Sequence, residues 1–276
     1  MTAYAAARPV AGSKLLSWLR HHALTAYAIL AFGYLLLPIA IVIAFSFNNP
    51  TGRYNYTWQG FTLDHWRNWD AVPGLRDAMV TSLEIAAASS LVATVLGTLI
   101  ALALVRYGFR GRSTTNLLIF IPMSTPEIVL GASLLALFLS MQVPTGFLTV
   151  LIAHIMFNIS FVVVTVKARL AGFDRHLEEA AMDLGANEWS TFWRVTLPLI
   201  APGILAAALL TFALSVDDFV ITYFNSGATI TFPLFVWGAA RIGAPPQVNV
   251  FGTLIFVVAL GLMLANILLQ NRKGAR

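Results

Sequence analysis

Cysteine is absent from the chain, which excludes disulfides, thiol nucleophiles and cysteine-ligated metals but leaves the compartment undetermined. Charge is scarce as well. Asp, Glu, Lys and Arg make up 11% of the 276 residues against 58% hydrophobic ones, a balance rarely met in a soluble domain of this size. The chain has no G-x-x-x-x-G-K-[ST] phosphate loop, no H-E-x-x-H zinc motif and no G-x-S-x-G nucleophile elbow. Its histidines, His21, His22, His65, His154 and His176, are scattered without metal-ligand spacing, so no metal site is expected. Asp217 and Asp218 are chain neighbours that point about 100° apart on a helix, so they cannot converge on one scissile bond as an aspartic dyad does. No catalytic residue is expected, and His154, set in an apolar run, reads as a hydrogen-bonded packing residue.

In place of these features the chain has long apolar runs. A hydrocarbon core about 30 Å thick is crossed by roughly 20 apolar residues in a helix. Six such runs occur, at residues 24–47, 79–105, 114–140, 147–166, 200–222 and 248–270, separated by stretches rich in Pro, Gly, Asn, Asp, Trp and charge. Arg8, Lys14, Arg20, His21 and His22 precede the first run as the basic region of a signal peptide would. The run exceeds a signal core of about 7–15 residues, and no small-x-small cleavage site follows in "FSFNNPTGRYN", so it is expected to be retained.

Lys and Arg fix the expected orientation. With both termini cytoplasmic, the inner segments hold Arg8, Lys14, Arg20, Arg106, Arg110, Arg112, Lys167, Arg169, Arg175, Arg194, Arg272, Lys273 and Arg276, and the outer ones only Arg53, Arg67, Arg76 and Arg241. This asymmetry accounts for the net charge of +5 without a nucleic-acid partner. The expected organisation is a cytoplasmic N-terminal segment (1–23), a six-helix transmembrane domain (24–270, with a core of about 78–270) and a cytoplasmic tail (271–276).

The expected cytoplasmic loop between the fourth and fifth runs, 167–199, is long for a helix connection. Leu177, Ala180, Ala181 and Leu184 recur at helical spacing, which predicts a short amphipathic helix over 175–184, stopped by Gly185. A second short helix is expected from an Asn187 cap, with Trp189, Phe192 and Trp193 on one face and with Pro198 and Pro202 punctuating the start of the fifth span. On pattern alone, a helix pair lying on lipid headgroups fits equally well. Glu179, Ala180, Ala181, Gly185, Val195, Thr196, Leu197 and Pro198 resemble, in order and spacing, the EAA signature of permease subunits of ATP-binding-cassette (ABC) importers, with Val195 where Ile is usual. That resemblance implies an all-α membrane protein of the type I importer permease (MetI-like) architecture. It also makes the loop a coupling element, with Glu179, Ala180, Ala181, Gly185, Leu197 and Pro198 engaging a separate ATPase.

Four carboxylates fall in or near the apolar runs: Glu84, Glu127, Asp217 and Asp218. A charge at a helix centre costs about 2.5–3.5 kcal/mol on insertion scales, which argues for a use. Glu127, the deepest, follows Pro122 and Pro126, which are expected to interrupt the third span and expose backbone near mid-membrane. At most one of Asp217 and Asp218 is expected to face a central path. Acidic groups favour a cationic solute, and Phe219, Tyr223, Phe224 and Trp237 add aromatic faces suited to an amine.

"WQGFTLDHW", "RYGFRGR", "STPEIVLGASLLALF", "FVVVTVKARLAGFDRHLEEAAMDLGA", "ALSVDDFVITYF" and "FPLFVWGAARIGAPPQVNVFGTLI" resemble spermidine/putrescine permeases of the PotC type over nearly the whole chain, although Gln247 stands where an acidic residue is usual. The resemblance implies a subunit of the bacterial inner membrane that binds no cofactor itself. It further implies three protein partners: a second homologous permease, a dimer of ABC ATPase subunits carrying ATP and Mg, and an extracytoplasmic polyamine-binding protein. Part of that protein's docking surface is expected on the outer loop holding Trp58, Trp66 and Trp69, residues whose other common place is the headgroup layer. Another organic or metal cation as solute, or a secondary transporter, are the competing readings.

Overall fold

The structure is a computed structural model. It describes residues 11–52 and 54–274, with side chains described for 22–52, 54–261 and 264. Arg8, Lys14, Arg20, His21, Arg53, Arg272, Lys273 and Arg276, which carry part of the orientation argument, lie outside the described side chains. Among the described residues the architecture is helical, and the one β pairing is an isolated bridge between Asn48 and Phe61. One compact unit comprises Pro73–Arg241, and the other is drawn from the chain on either side of it.

In the second of these units, α1 (Ala11–Phe45) packs against α12 (Pro246–Gly274). The segment after α1 is held by Asn48, whose fully buried side chain donates to Asn55 Oδ1 (2.6 Å) and the Thr57 carbonyl (2.8 Å) and accepts from the Gln59 N–H (2.7 Å). Phe47 is stacked between Phe61 and Trp66, at centroid distances of 5.6 and 5.2 Å. Trp66, in the short helix α2 (Asp64–Arg67), and Trp69, packed on Phe251, are therefore partly engaged internally, whereas Trp58 remains half exposed.

The unit Pro73–Arg241 is built on α3 (Leu75–Arg106), whose 32 residues extend about 48 Å, longer than a bilayer core. It packs against α6 (Phe147–Ala171) and α9 (Leu197–Asp217). Apolar helices gain nothing by leaving lipid for each other, so close approach of small residues drives their association. Ala86, Ser89, Ser90, Ala93, Gly97 and Ala101 of α3 form such a stripe. A Cβ on Gly97 would meet Val162 Cβ at 2.6 Å. Ala93, Ala101, Leu104, Val162, Val166, Ile200 and Ala207 fill the interface.

Two spans are broken. The third is a helix pair, α4 (Arg112–Ser124) and α5 (Glu127–Ser140), bent by 109°. The break falls at Pro126 and not at Pro122, which sits inside α4. Thr125, as the residue before a proline, is pushed to the extended region (ψ 134°) and ends the helix there. The fifth span, expected unbroken over 200–222, begins earlier and ends sooner. Its helix runs from Glu188 through α8 (Glu188–Thr191), a π-helical turn (Phe192–Thr196) and α9 to Asp217. Pro198 has no N–H to give and crowds the preceding turn, and the widened π turn lies where that crowding would fall. After Asp218 and Phe219 the chain resumes as α10 (Val220–Asn225), which packs on α5 through Ile221 and Leu130. α11 (Phe232–Ile242) follows.

Among the described residues four helices are long and apolar enough to cross a membrane, and five spans result if the bent pair counts as one. The sixth expected span begins within α12, of which the apolar part among the described residues is Pro246–Gly261.

The break at Asp218 is closed by a chain of buried polar groups. Asp218 Oδ1 accepts from the Thr222 N–H and hydroxyl, both at 2.9 Å, and lies 3.4 Å from His154 Nε2. His154, 3% exposed, also bonds Thr222 Oγ1 (3.0 Å) and Ser215 Oγ (2.6 Å). Ser215 meets Ser89 (3.1 Å), and Asn158 reaches Ser89 (3.5 Å). One direction satisfies every link: Asn158 amide to Ser89, Ser89 to Ser215, Ser215 to His154 Nδ1, His154 Nε2–H to Thr222, and Thr222 to the Asp218 carboxylate.

Gly97→Val should destabilise the fold by about 1–3 kcal/mol through overpacking, read as a lower thermal midpoint in detergent, while Gly238→Ala, which meets nothing within 4 Å, should not. His154→Leu orphans groups on both sides of the ring and should lower the midpoint by an equivalent of about 1–3 kcal/mol per orphaned group, with His154→Gln falling between.

Candidate functional site

Polar function in the unit Pro73–Arg241 concentrates in two places, the long loop 167–199 and the two breaks. In the loop, the expected amphipathic helix is α7 (His176–Asp183). Gly185 adopts φ +90°, the Gly185 N–H reaches the Met182 carbonyl (2.9 Å) and the Ala186 N–H the Ala181 carbonyl (3.1 Å), so the helix ends in a Schellman motif. Asn187 Oδ1 then accepts from the Ser190 N–H at 2.8 Å and caps α8 as expected. Trp189, Phe192 and Trp193 cluster with centroids 5.5–6.5 Å apart.

This loop is fastened, not free. Arg175 donates to the Val105 carbonyl (3.0 Å), Lys167 to Asn116 Oδ1 (2.6 Å), and Arg169 to the Leu199 carbonyl (3.0 Å). The two adjacent glutamates separate sharply. Glu178 points inward and is bonded by both Arg106 and Thr196. Glu179 points outward with its side chain 62% exposed and has His176 as neighbour at 3.1 Å. Ala180 is exposed and Ala181 half-buried beside it, Leu184 is 89% and Trp189 71% exposed, and Leu197 and Pro198 open α9. The face formed by Glu179, Ala180, Leu184 and Trp189 thus offers one carboxylate and an apolar surface to a partner.

At the breaks, Glu127 is the first residue of α5 and is exposed. Asp217, last in α9, is also exposed, and Asp218 turns its carboxylate inward to His154 and Thr222, leaving it 7% exposed. The neighbours thus diverge, as their helical spacing predicts. Glu84 is exposed on α3. The structure joins Tyr223 and Trp237 through Phe219, with centroids at 5.6 and 5.2 Å, and the Arg241 guanidinium stands 4.8 Å over the Trp237 ring. The two broken spans meet where Asn225 Nδ2 donates to the Gly131 carbonyl (3.3 Å), one turn after Glu127. Among the described residues no group of three or more His, Cys, Asp or Glu is arranged to hold a metal.

The sequence does not show which groups Arg106, Glu178, Thr196 and Ser215 bond. Their partners lie 18 to 126 residues away, so no local spacing marks them.

Residues 93–271, more than half of the chain, match the family described as "Binding-protein-dependent transport system inner membrane component". The chain is 39% identical over 243 residues to the spermidine/putrescine transport system permease protein PotC of Escherichia coli K12, covering 88% of this chain and 91% of that protein. It is 37% identical over 235 residues to the putrescine transport system permease protein PotI of the same organism, covering 82% and 83%. Among solved structures, a chain of a bacterial alginate ABC transporter, in complex with an alginate pentasaccharide-bound periplasmic protein, superposes with a TM-score of 0.63 at 18% identity over 93% of this chain and 95% of that one, a likeness of fold alone. The broken spans, the fastened loop and these likenesses have one explanation: the chain is a multi-pass permease and belongs to the inner-membrane components of binding-protein-dependent transport systems.

Proposed function

We propose that this chain is the translocating subunit of an ATP-driven importer and that its solute is a polyamine such as spermidine or putrescine. The observation that carries the reading is the likeness, over 88% of the chain, to a permease of a spermidine/putrescine transport system. The chemistry of the breaks supports it. Glu127, Asp217 and Glu84 offer exposed carboxylates to ammonium groups, and Tyr223 and Trp237 offer aromatic faces. A cation over such a ring gains about 0.5–1 kcal/mol when exposed and roughly 2 when desolvated, and Arg241 already uses the Trp237 face in this way. Asp218 takes a supporting part, its carboxylate being committed to His154 and Thr222.

ATP and Mg belong, on this reading, to a pair of separate ATPase subunits, since the chain has no phosphate loop. Those subunits grip the outward face of α7 and α8, through Glu179, Ala180, Ala181 and Gly185, and closing them moves the permease. A second homologous permease completes the pathway, and an extracytoplasmic binding protein delivers the amine. Both termini are cytoplasmic, on the distribution of Lys and Arg. Membership of a binding-protein-dependent family answers the competing secondary-transporter reading.

Reconstituted with its partner subunits in proteoliposomes, the protein should drive ATP-dependent uptake of labelled spermidine or putrescine and not of sulfate or amino acids; an anion carried in preference to amines would overturn the proposal. Glu127→Gln should reduce amine uptake about 10–100-fold, the scale of one lost charge-assisted bond, with the complex still assembled. Unchanged kinetics would remove Glu127 from the path. Glu179→Lys should lower recovery of the ATPase subunits in a pull-down, and a normal yield would count against the gripping role.

A further inference from the structure

We propose that Arg106, Glu178 and Thr196 form a strut that carries movement of α7 directly into α3, in addition to the covalent route into α9. The inference rests on the coupling role proposed above and goes further by assigning the path of force inside the permease.

The covalent route from α7 to α9 is short and hydrogen-bonded along its length. It passes through Gly185, whose left-handed turn (φ +90°) is closed by the Schellman bonds, and then through the π-helical turn Phe192–Thr196. Glu178 also bonds Thr196, the residue before Leu197, so α7 is tied to the base of α9 by a side chain as well. The contact with α3 is made by side chains. Glu178, with a side chain only 16% exposed, accepts from the guanidinium of Arg106 at the end of α3 and from the hydroxyl of Thr196, which is fully buried. Arg106 also donates to Thr196 Oγ1 at 3.2 Å, so each of the three groups bonds the other two. One turn earlier, Arg175 donates to the Val105 carbonyl, a group left without a helical partner because α3 ends at Arg106.

α7 is therefore attached to the end of α3 at two points a turn apart, an arrangement that passes on rotation as well as displacement. α3 is packed closely on α6, most tightly at Gly97 against Val162. About 25 Å along the same helix, Ser89 enters the hydrogen-bonded chain that ends at Asp218 beside the break in the fifth span. The strut thus joins the ATPase-facing helix to the span that touches the broken region. Glu179, one residue on and turned outward, faces the partner, so the two glutamates divide the work between outer grip and inner transmission.

The test is Glu178→Gln in the assembled transporter in proteoliposomes, with ATP hydrolysis and amine uptake measured on the same sample. The ATPase subunits should co-purify normally, hydrolysis should persist, and uptake per ATP should fall roughly tenfold, with Glu178→Asp intermediate. Arg106→Glu combined with Glu178→Arg should recover more uptake per ATP than either single change. In the purified permease, amide hydrogen exchange over 176–184 should accelerate in Glu178→Gln, a readout that needs no substrate. An unchanged uptake-to-ATP ratio with unchanged exchange would overturn the strut, as would equal loss of uptake, hydrolysis and assembly, which marks a purely folding role. A wild-type complex that hydrolyses ATP yet takes up no amine would instead sink the polyamine reading, and the exchange measurement would still decide the strut.

Discussion

Inside a bilayer the backbone has no water to bond, so a helix can stop there only where protein groups take over its unpaired N–H and C=O groups. This constraint governs where the permease is allowed to be irregular. At the end of α4, the Thr125 N–H closes the last helical bond on the Ile121 carbonyl, and the Ser124 and Thr125 hydroxyls find acceptors in the Phe120 and Ile121 carbonyls at 2.7–3.1 Å. At the start of α10, Asp218 takes the Thr222 N–H. Asn225 then bridges the two broken spans, donating to the Ile221 carbonyl in its own helix and to the Gly131 carbonyl in α5. The breaks are built features, each carrying the side chains that permit it.

Their charges follow from the same geometry. Glu127 sits in the first turn of α5, where the partial positive charge of a helix start favours an acidic side chain. Asp217 has the opposite placement. It ends α9, where the helix carbonyls already present partial negative charge, and it is exposed. Fold stability gives no reason for an acid at that position, whereas a cationic solute under the proposed function gives a direct one.

Much of this was legible in the sequence, and the gaps have definite causes. Helical character, apolar spans, the turn at Gly185 and the Asn187 cap depend on residues within one or two turns of each other, so the local pattern carries them. The break in the third span was expected at the prolines, but its placement at Pro126 follows from the conformational restriction on Thr125. The break at Asp218 was missed because no Pro or Gly marks it; it depends on His154, 64 residues away in the chain. The inward turn of Glu178 escaped notice for the same reason, since Arg106 comes to it from the far end of another span. Hydropathy reports where a chain meets lipid and is silent on which polar groups find each other within it.

Two pairs of neighbouring acids show how that silence conceals function. Glu178 and Glu179 are indistinguishable by composition, as are Asp217 and Asp218, yet helical rotation, together with the turn out of helix at Asp218, sends one member of each pair inward and one outward. The inward member is consumed by the fold: Glu178 by Arg106 and Thr196, Asp218 by His154 and Thr222. The outward member stays exposed, one residue from a side chain bonded into the fold. A carboxylate meant to meet a partner protein or a passing cation must not collapse onto the nearest internal donor, and satisfying those donors with an adjacent acid is a direct way to prevent it. Under the proposed function, the inner acids would thus set the availability of the outer ones.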